Sequence, residues 1–226
     1  MNILGLETSS IVCSVGLTNE RGFTVERSLI DPHIHSEKLL TLISDVLKQA
    51  ELSLQNIDAV AVSIGPGSFT GLRIGLSTAK GLCFSLGKPL VAVPTFDSVA
   101  RLAWDDHAGL EAITIALDAK QGDFYVASQA RKRRGLPLRA DISKLDPDEI
   151  RARDAGDGHS AWITDRTDVL VDAGVSPSRV LDYILFCGGR TVAGIGLEKY
   201  RVQEFADVTS VEPMYLKEFI VKQAPR

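Results

Sequence analysis

A glycine-rich run is the densest concentration of residues that could do chemistry. Residues Gly65–Gly75 read GPGSFTGLRIG and follow the apolar segment Ile57–Ile64. Backbone N–H groups at the start of a helix can hold an anion. The run nearly matches the dinucleotide-binding fingerprint, but its third glycine comes one residue late, and no acid ends the next strand to hold a ribose. The spacing therefore argues against a dinucleotide site.

Two acids each end an apolar segment just before a tight turn. Glu7 is followed by Thr8 and Ser9, and Asp118 is followed two residues later by Lys120. Facing hairpin loops of this kind could hold phosphates, with the two acids binding a metal. Turn formation alone also favours an acid at such positions, so both interpretations stay open.

Other candidate sites are weaker. Ser77–Lys80 fits the Ser-x-x-Lys pattern of a nucleophile, but its partner motifs Ser-Asp-Asn and Lys-Thr-Gly are absent. His33 and His35 lack a third metal ligand in sequence, so we expect solvated loop histidines. The basic run Arg131–Arg134 is expected at a hairpin tip, either solvated or contacting phosphate.

Composition places the chain among ordinary globular proteins. Its 226 residues are 45% hydrophobic and 24% charged, and the net charge is −4. This balance excludes a wholly basic nucleic-acid binder but not a local basic patch. Three widely spaced cysteines give no disulfide framework. No export signal or membrane-length apolar run is present, so we expect a cytoplasmic protein without membrane contact.

Hydrophobic periodicity places these residues in two similar halves. Each half begins with three strands and continues with alternating helices and strands. The first half has helices over Ser36–Ala50 and Ser68–Leu86. The second has its third strand over Leu138–Ile142, a helix start at Asp146–Glu149 and a strand over Tyr183–Phe186.

This layout predicts a fold class. A duplicated βββαβα unit, facing itself across a cleft, is the plan of the actin–hexokinase–Hsp70 class of α/β proteins. We therefore predict two actin-like subdomains, residues 1–108 and 109–226, with the last segment returning to the first subdomain.

Both helices of the first half have surfaces that could meet a partner. Leu40, Leu42 and Leu47 help to widen the apolar arc of the first helix to about 160°, beyond the stripe of about 100° that one core requires. Gly71 and Gly75 help to give the second helix a stripe of small residues. Packing within the chain and contact with another subunit are both compatible with these patterns, and the glycine stripe by itself favours packing within the chain.

Four stretches resemble the TsaB family, also called YeaZ. They are Leu4–Ser10 (LGLETSS), the glycine run continued to Leu82, Asp118–Tyr125 (DAKQGDFY) and Glu212–Lys217 (EPMYLK). Lys120 and Asp123 stand where the family has Arg and Glu. The match runs almost end to end, and only residues 130–208 match in layout alone.

The resemblance implies a role in making threonylcarbamoyladenosine beside the anticodon of tRNAs that read codons beginning with adenine. In the family, the paralogue TsaD transfers the threonylcarbamoyl group, TsaB binds and activates TsaD, and the ATPase TsaE assists. The chain would be a non-catalytic subunit, a homodimer when alone, and in contact with tRNA through the complex. The alternative is a stand-alone ATP-dependent transferase or kinase that uses Glu7 and Asp118 with Mg²⁺.

The resemblance also implies an interface and a lost active site. The first two helices pack on the equivalent helices of TsaD or of a second TsaB. The histidine pair of TsaD is missing from Val93–Val99, and the double glycine of its phosphate loop is missing from Asp118–Gly122. We therefore predict no bound metal and no cofactor, with ATP or ADP expected only between subunits. The predicted interface residues are Leu40, Leu42, Leu47, Gly71, Leu72, Gly75, Ala79 and Leu82. The predicted vestiges of a nucleotide cleft are Glu7, Thr8, Ser9, Asp118 and Lys120.

Overall fold

Two mixed sheets of five strands each organise the chain. The computed structural model describes residues 1–31, 33–120, 122–130, 142–156, 160–181 and 187–216. The first sheet contains β1 (Asn2–Glu7), β2 (Val12–Asn19), β3 (Thr24–Ile30), β4 (Ala59–Gly65) and β5 (Leu90–Pro94). The second contains β6 (Ala112–Lys120), β7 (Asp123–Ala130), β8 (Ser143–Leu145), β9 (Ala161–Thr164) and β10 (Val180–Leu181).

Six α-helices of the described residues cover these sheets. They are α1 (His35–Gln49), α2 (Phe69–Leu86), α3 (Thr95–Asp106), α4 (Pro147–Gly156), α5 (Thr167–Asp172) and α6 (Gly189–Arg201).

The two sheets have the same topology. Their strand orders are β3-β2-β1-β4-β5 and β8-β7-β6-β9-β10. In each, the first strand of the unit pairs antiparallel with the second and parallel with the fourth. The predicted duplication is therefore confirmed.

In the first sheet, β1, β2, β4 and β5 are buried on both faces because they alternate apolar side chains between two cores, whereas most of β3 is exposed. Leu4 and Leu6 pack with α1 and α2, whereas Ile3 packs with Val192 and Ile195 of α6. The strands consequently read as nearly continuous apolar runs, which is typical of a sheet with helices on both sides.

Two helices exchange sheets. The helix α3, which follows the first sheet in sequence, packs Phe96 and Trp104 against Ile113 and Ile115 of the second sheet. In return, α6 follows the second sheet and packs on the first. The other face of the second sheet is covered by α4 and α5. The subdomain boundary between residues 108 and 109 stays a prediction.

The element bounds agree closely with prediction in the first half and less well in the second. The predicted helix start at Asp146 is confirmed by a reciprocal cap, in which each backbone N–H of Asp146 and Glu149 donates to the other's side chain at 2.9 Å. The third strand, β8, begins at Ser143, and Ile142 precedes it. Residues 138–141 and the strand predicted over Tyr183–Phe186 lie outside the described residues.

Candidate functional site

The glycine-rich run packs against the first hairpin. Ser68 caps α2 by accepting a hydrogen bond from Gly71 N–H at 3.3 Å. The backbone N–H of Ser68 donates to the Ser9 carbonyl at 2.6 Å. The start of α2 therefore lies on the turn between β1 and β2. This turn occupies the position in which an anion could bind the N–H groups at the start of a helix.

The close approach of Thr8 explains why α2 has glycine at positions 71 and 75. A Cβ atom at Gly71 would collide with the Thr8 carbonyl oxygen, and one at Gly75 would collide with the Thr8 hydroxyl. Each helical glycine costs about 1 kcal/mol relative to alanine, so this close approach is the reason for their presence. The proposal that Gly71 and Gly75 form a low-relief stripe for a partner is therefore wrong: both face the chain's own hairpin.

Glu7 is enclosed at the end of β1. Its side chain is 0% exposed, Oε1 accepts the Ser9 N–H at 2.6 Å, and Oε2 has no hydrogen-bond partner among the described residues. Burial raises the pKa of Glu7, and hydrogen bonds from Ser9 and Ser63 only partly oppose this effect. The charged form, in which a carboxylate binds Mg²⁺, is therefore harder to reach at Glu7 than in water.

The three buried thiols keep their protons at neutral pH. Cys13, Cys83 and Cys187 are buried and free. Burial raises the pKa of Cys13 to about 11, and the pKa of Cys187 is raised well above its usual value, with the Glu7 charge adding to both effects. These cysteines are consequently poor nucleophiles at neutral pH.

Asp118 ends the apolar part of β6 in a different environment. Its Oδ2 lies 3.8 Å from Nη1 of Arg166, and its backbone N–H donates to Asp165 at 2.9 Å. Arg166 also pairs with Asp168 at 3.0 Å. The guanidinium group therefore stands beside the carboxylate that the alternative function would give to Mg²⁺. The side chain of Lys120 lies outside the described part of the structure.

The start of α6 is clamped to the first sheet by residues that sequence analysis did not single out. Gly189 N–H donates to Ser14 Oγ at 2.9 Å, and Arg190 N–H donates to Glu26 Oε1 at 3.0 Å. A Cβ at Gly5 or Gly16 would collide with the backbone of this helix. Glycines inside strands often mark such a close approach, and that signal could have found this contact.

The predicted interface residues separate into two groups. Leu42, Leu47, Leu72 and Ala79 are buried in the chain's own core. Leu40 is 65% exposed on α1, while Leu82 and Ile74 are half-buried on α2. The helices α1 and α2, which carry these residues, contact each other on the same side of the first sheet.

The two histidines occupy different environments. His33 is exposed. His35 is buried, and its Nε2 lies 3.2 Å from the Val12 carbonyl, so the prediction that it is solvated is wrong. It lies at the start of α1, directly over β2, and a single sequence does not indicate this contact.

The described residues contain no group of three side chains suited to a metal. They also contain no helix long and apolar enough to cross a membrane. Residues Arg131–Arg134 lie outside the residues that the structure describes.

The duplicated unit, the exchange of α3 and α6 and the paired hairpins define an actin-like (ASKHA) α/β protein. The TsaD family model, described as tRNA N6-adenosine threonylcarbamoyltransferase, matches residues 32–143. YeaZ from Pseudomonas aeruginosa superimposes with a TM-score of 0.80 at 27% identity, over 95% of this chain and 99% of that one.

Proteins with similar sequences belong to the same group as the structural neighbour. The tRNA threonylcarbamoyladenosine biosynthesis protein TsaB of Escherichia coli is 29% identical over 96% of this chain and 95% of its own length. TsaB of Haemophilus influenzae is 32% identical over 59% of this chain and 56% of its own length. Over almost its whole length, the chain is similar to proteins of the TsaB/YeaZ family.

Proposed function

We propose that this chain acts in tRNA threonylcarbamoyladenosine biosynthesis as a non-catalytic subunit that binds and activates the catalytic paralogue TsaD. The names of its relatives support the pathway. The non-catalytic role is carried by one observation: the first hairpin, with Glu7, Thr8 and Ser9 all buried, lies under the start of α2. A nucleotide phosphate could not reach these three residues without displacing the start of the helix.

The TsaD-binding face is formed by α1 and α2. Leu40, Ile74 and Leu82 present apolar surface on neighbouring helices, and two helices from a partner would complete a four-helix bundle. The same face would pair two copies of the chain when TsaD is absent, because a two-fold axis uses one surface twice. Nucleotide, TsaE and tRNA are then expected to engage the assembled complex, and we expect weak or no ATP binding by the chain alone.

Reconstitution tests this function. The chain, TsaD and TsaE of the same organism are combined with unmodified tRNA, ATP and threonylcarbamoyl-adenylate, and threonylcarbamoyladenosine is measured by mass spectrometry. We expect no product from the chain alone and a large gain when it joins TsaD. Transfer by the isolated chain, or unchanged TsaD activity in its presence, would contradict the proposal.

The interface is tested by Leu40→Glu. Burying the Leu40 side chain in the complex should contribute about 1.5–3 kcal/mol to the binding free energy. A glutamate at this position loses that contribution, so affinity for TsaD should fall roughly 10- to 100-fold. Val202 is the matched control, because it is 72% exposed and follows α6 on another side of the sheet. Calorimetry should find Val202→Glu unchanged, and equal losses for both variants would contradict this interface.

A further inference from the structure

Two motifs far apart in sequence meet on the outer surface of α2. Arg73 Nε donates to the Tyr215 hydroxyl at 2.8 Å across 142 positions of sequence. The guanidinium carbon lies 3.8 Å from the centroid of the Phe69 ring, and the rings of Phe69 and Tyr215 are 5.2 Å apart. One edge of the guanidinium group is thereby fixed by the hydroxyl and its face by the ring.

The segment that carries Tyr215 is fastened beside α2 at two further points. Met214 N–H donates to the Ile64 carbonyl at 2.6 Å, and Lys80 Nζ donates to the Thr209 carbonyl at 3.3 Å. Between this segment and α2 lies a cleft of about 270 Å³. Its lining includes Arg73, Ser77 and Lys80 from the helix and Glu212 and Tyr215 from the segment.

The cleft has positive charge that the described residues do not neutralise. Arg73 and Lys80 form no ion pair with any described side chain, and the terminal nitrogens of Arg73 donate to no described acceptor. Two cations against the one carboxylate of Glu212 leave a net charge of about +1. An arginine held with its fork free is suited to a planar, bidentate acceptor such as a carboxylate.

We infer that this cleft binds an acidic side chain of a partner protein, and that this partner is TsaD; the inference rests on the proposed function. A single net charge matches one carboxylate better than a nucleic-acid backbone, which recruits several cations. Phe84 lies on the same helical stripe as Arg73, Ser77 and Lys80 and is 86% exposed. A protein partner would cover this ring, so the stripe extends the apolar face of α1 and α2 with a charged contact.

The experiment compares Arg73→Gln with Arg21→Gln, since Arg21 is an exposed arginine in the turn between β2 and β3. Affinity for TsaD is measured by calorimetry at two salt concentrations. We expect Arg73→Gln to bind roughly 10- to 100-fold more weakly, the effect of losing a charge-assisted hydrogen bond, and to lose part of the salt dependence. Arg21→Gln should match the wild type, and Arg73→Lys should recover only part of the loss.

Each outcome is decisive. If Arg73→Gln binds TsaD like the wild type, the inference is wrong although the proposed function stands. If that variant instead loses affinity only for a tRNA anticodon stem–loop, the cleft takes phosphate. If the wild type does not bind TsaD at all, the proposed function fails and the inference fails with it. Equal melting temperatures of the variants exclude loss of folding as the cause.

Discussion

At the scale of single residues, burial decides what the acids can do. Glu7 ends β1 and Asp118 lies near the end of the corresponding strand β6, yet Glu7 is fully buried while Asp118 lies beside Arg166. The environment, and not the residue type, makes ionisation costly for one carboxyl group and places an arginine beside the other. Their positions were predicted from the sequence, but these environments could not be, because they depend on neighbours distant in sequence.

The raised pKa of Glu7 predicts a pH dependence of stability. The folded chain keeps a proton that the unfolded chain releases near the ordinary glutamate pKa, about 4.3. Stability should therefore fall as pH rises from that value through the raised pKa, and then level off. Glu7→Gln removes this titration, so its melting temperature should exceed that of the wild type at neutral pH and match it near pH 4.

Asp207 provides a control of opposite sign. Hydrogen bonds from the backbone and side chain of Thr209, and from Ser210, lower its pKa. The carboxylate stabilises the fold above its unfolded pKa, and this effect is lost as pH falls through the lowered value. Asp207→Asn should thus melt lower than the wild type at neutral pH. A Glu7→Gln difference that does not change with pH would refute the account of Glu7.

At the scale of elements, α2 shows what a helical pattern predicts and what it omits. The sequence located the helix to within one residue and placed Gly71 and Gly75 on one face. It could not say which surface meets that face, because the hairpin that carries Thr8 is some 60 residues away in sequence. The clamp of Ser14 and Glu26 on α6 escaped prediction for the same reason. Local capping at Asp146, by contrast, was predictable.

Two glycines of α2 give a prediction within one helix. Gly75→Ala should lower the free energy of unfolding by about 1–3 kcal/mol, because its Cβ collides with Thr8. A Cβ atom at Gly81 would meet only open space, so Gly81→Ala should raise stability by up to about 1 kcal/mol. Urea unfolding measures both. A Gly75→Ala variant that keeps its stability but loses affinity for TsaD would contradict this account and support a contact between these glycines and a partner.

At the scale of the whole molecule, the duplication joins two sheets that each need the other half of the chain. The second face of the first sheet is covered by α6, and one face of the second sheet is covered by α3. The alternation of elements predicted the duplicated plan. It did not predict the packing of α3 on the second sheet, since an amphipathic helix does not specify which sheet it covers.

Removal of α6 tests this interdependence. A chain ending after residue 187 would keep the described strands of both sheets but expose Ile3, Ala61 and Val91 to water. We expect it to lose cooperative thermal unfolding and to bind an apolar dye. A chain ending after residue 202, which retains α6, is the control and should unfold cooperatively. Cooperative unfolding of the shorter chain would contradict this view.

The exchange of helices has a consequence for synthesis on the ribosome. The first sheet is complete in sequence at Pro94, but the helix that covers its second face ends at Arg201. While about a hundred further codons are translated, the second face of the first sheet stays uncovered because α6 has not yet been synthesised. The nascent chain is therefore a candidate client of ribosome-associated chaperones throughout that interval. The first subdomain, although its strands are made first, can be completed only after Arg201 has been added.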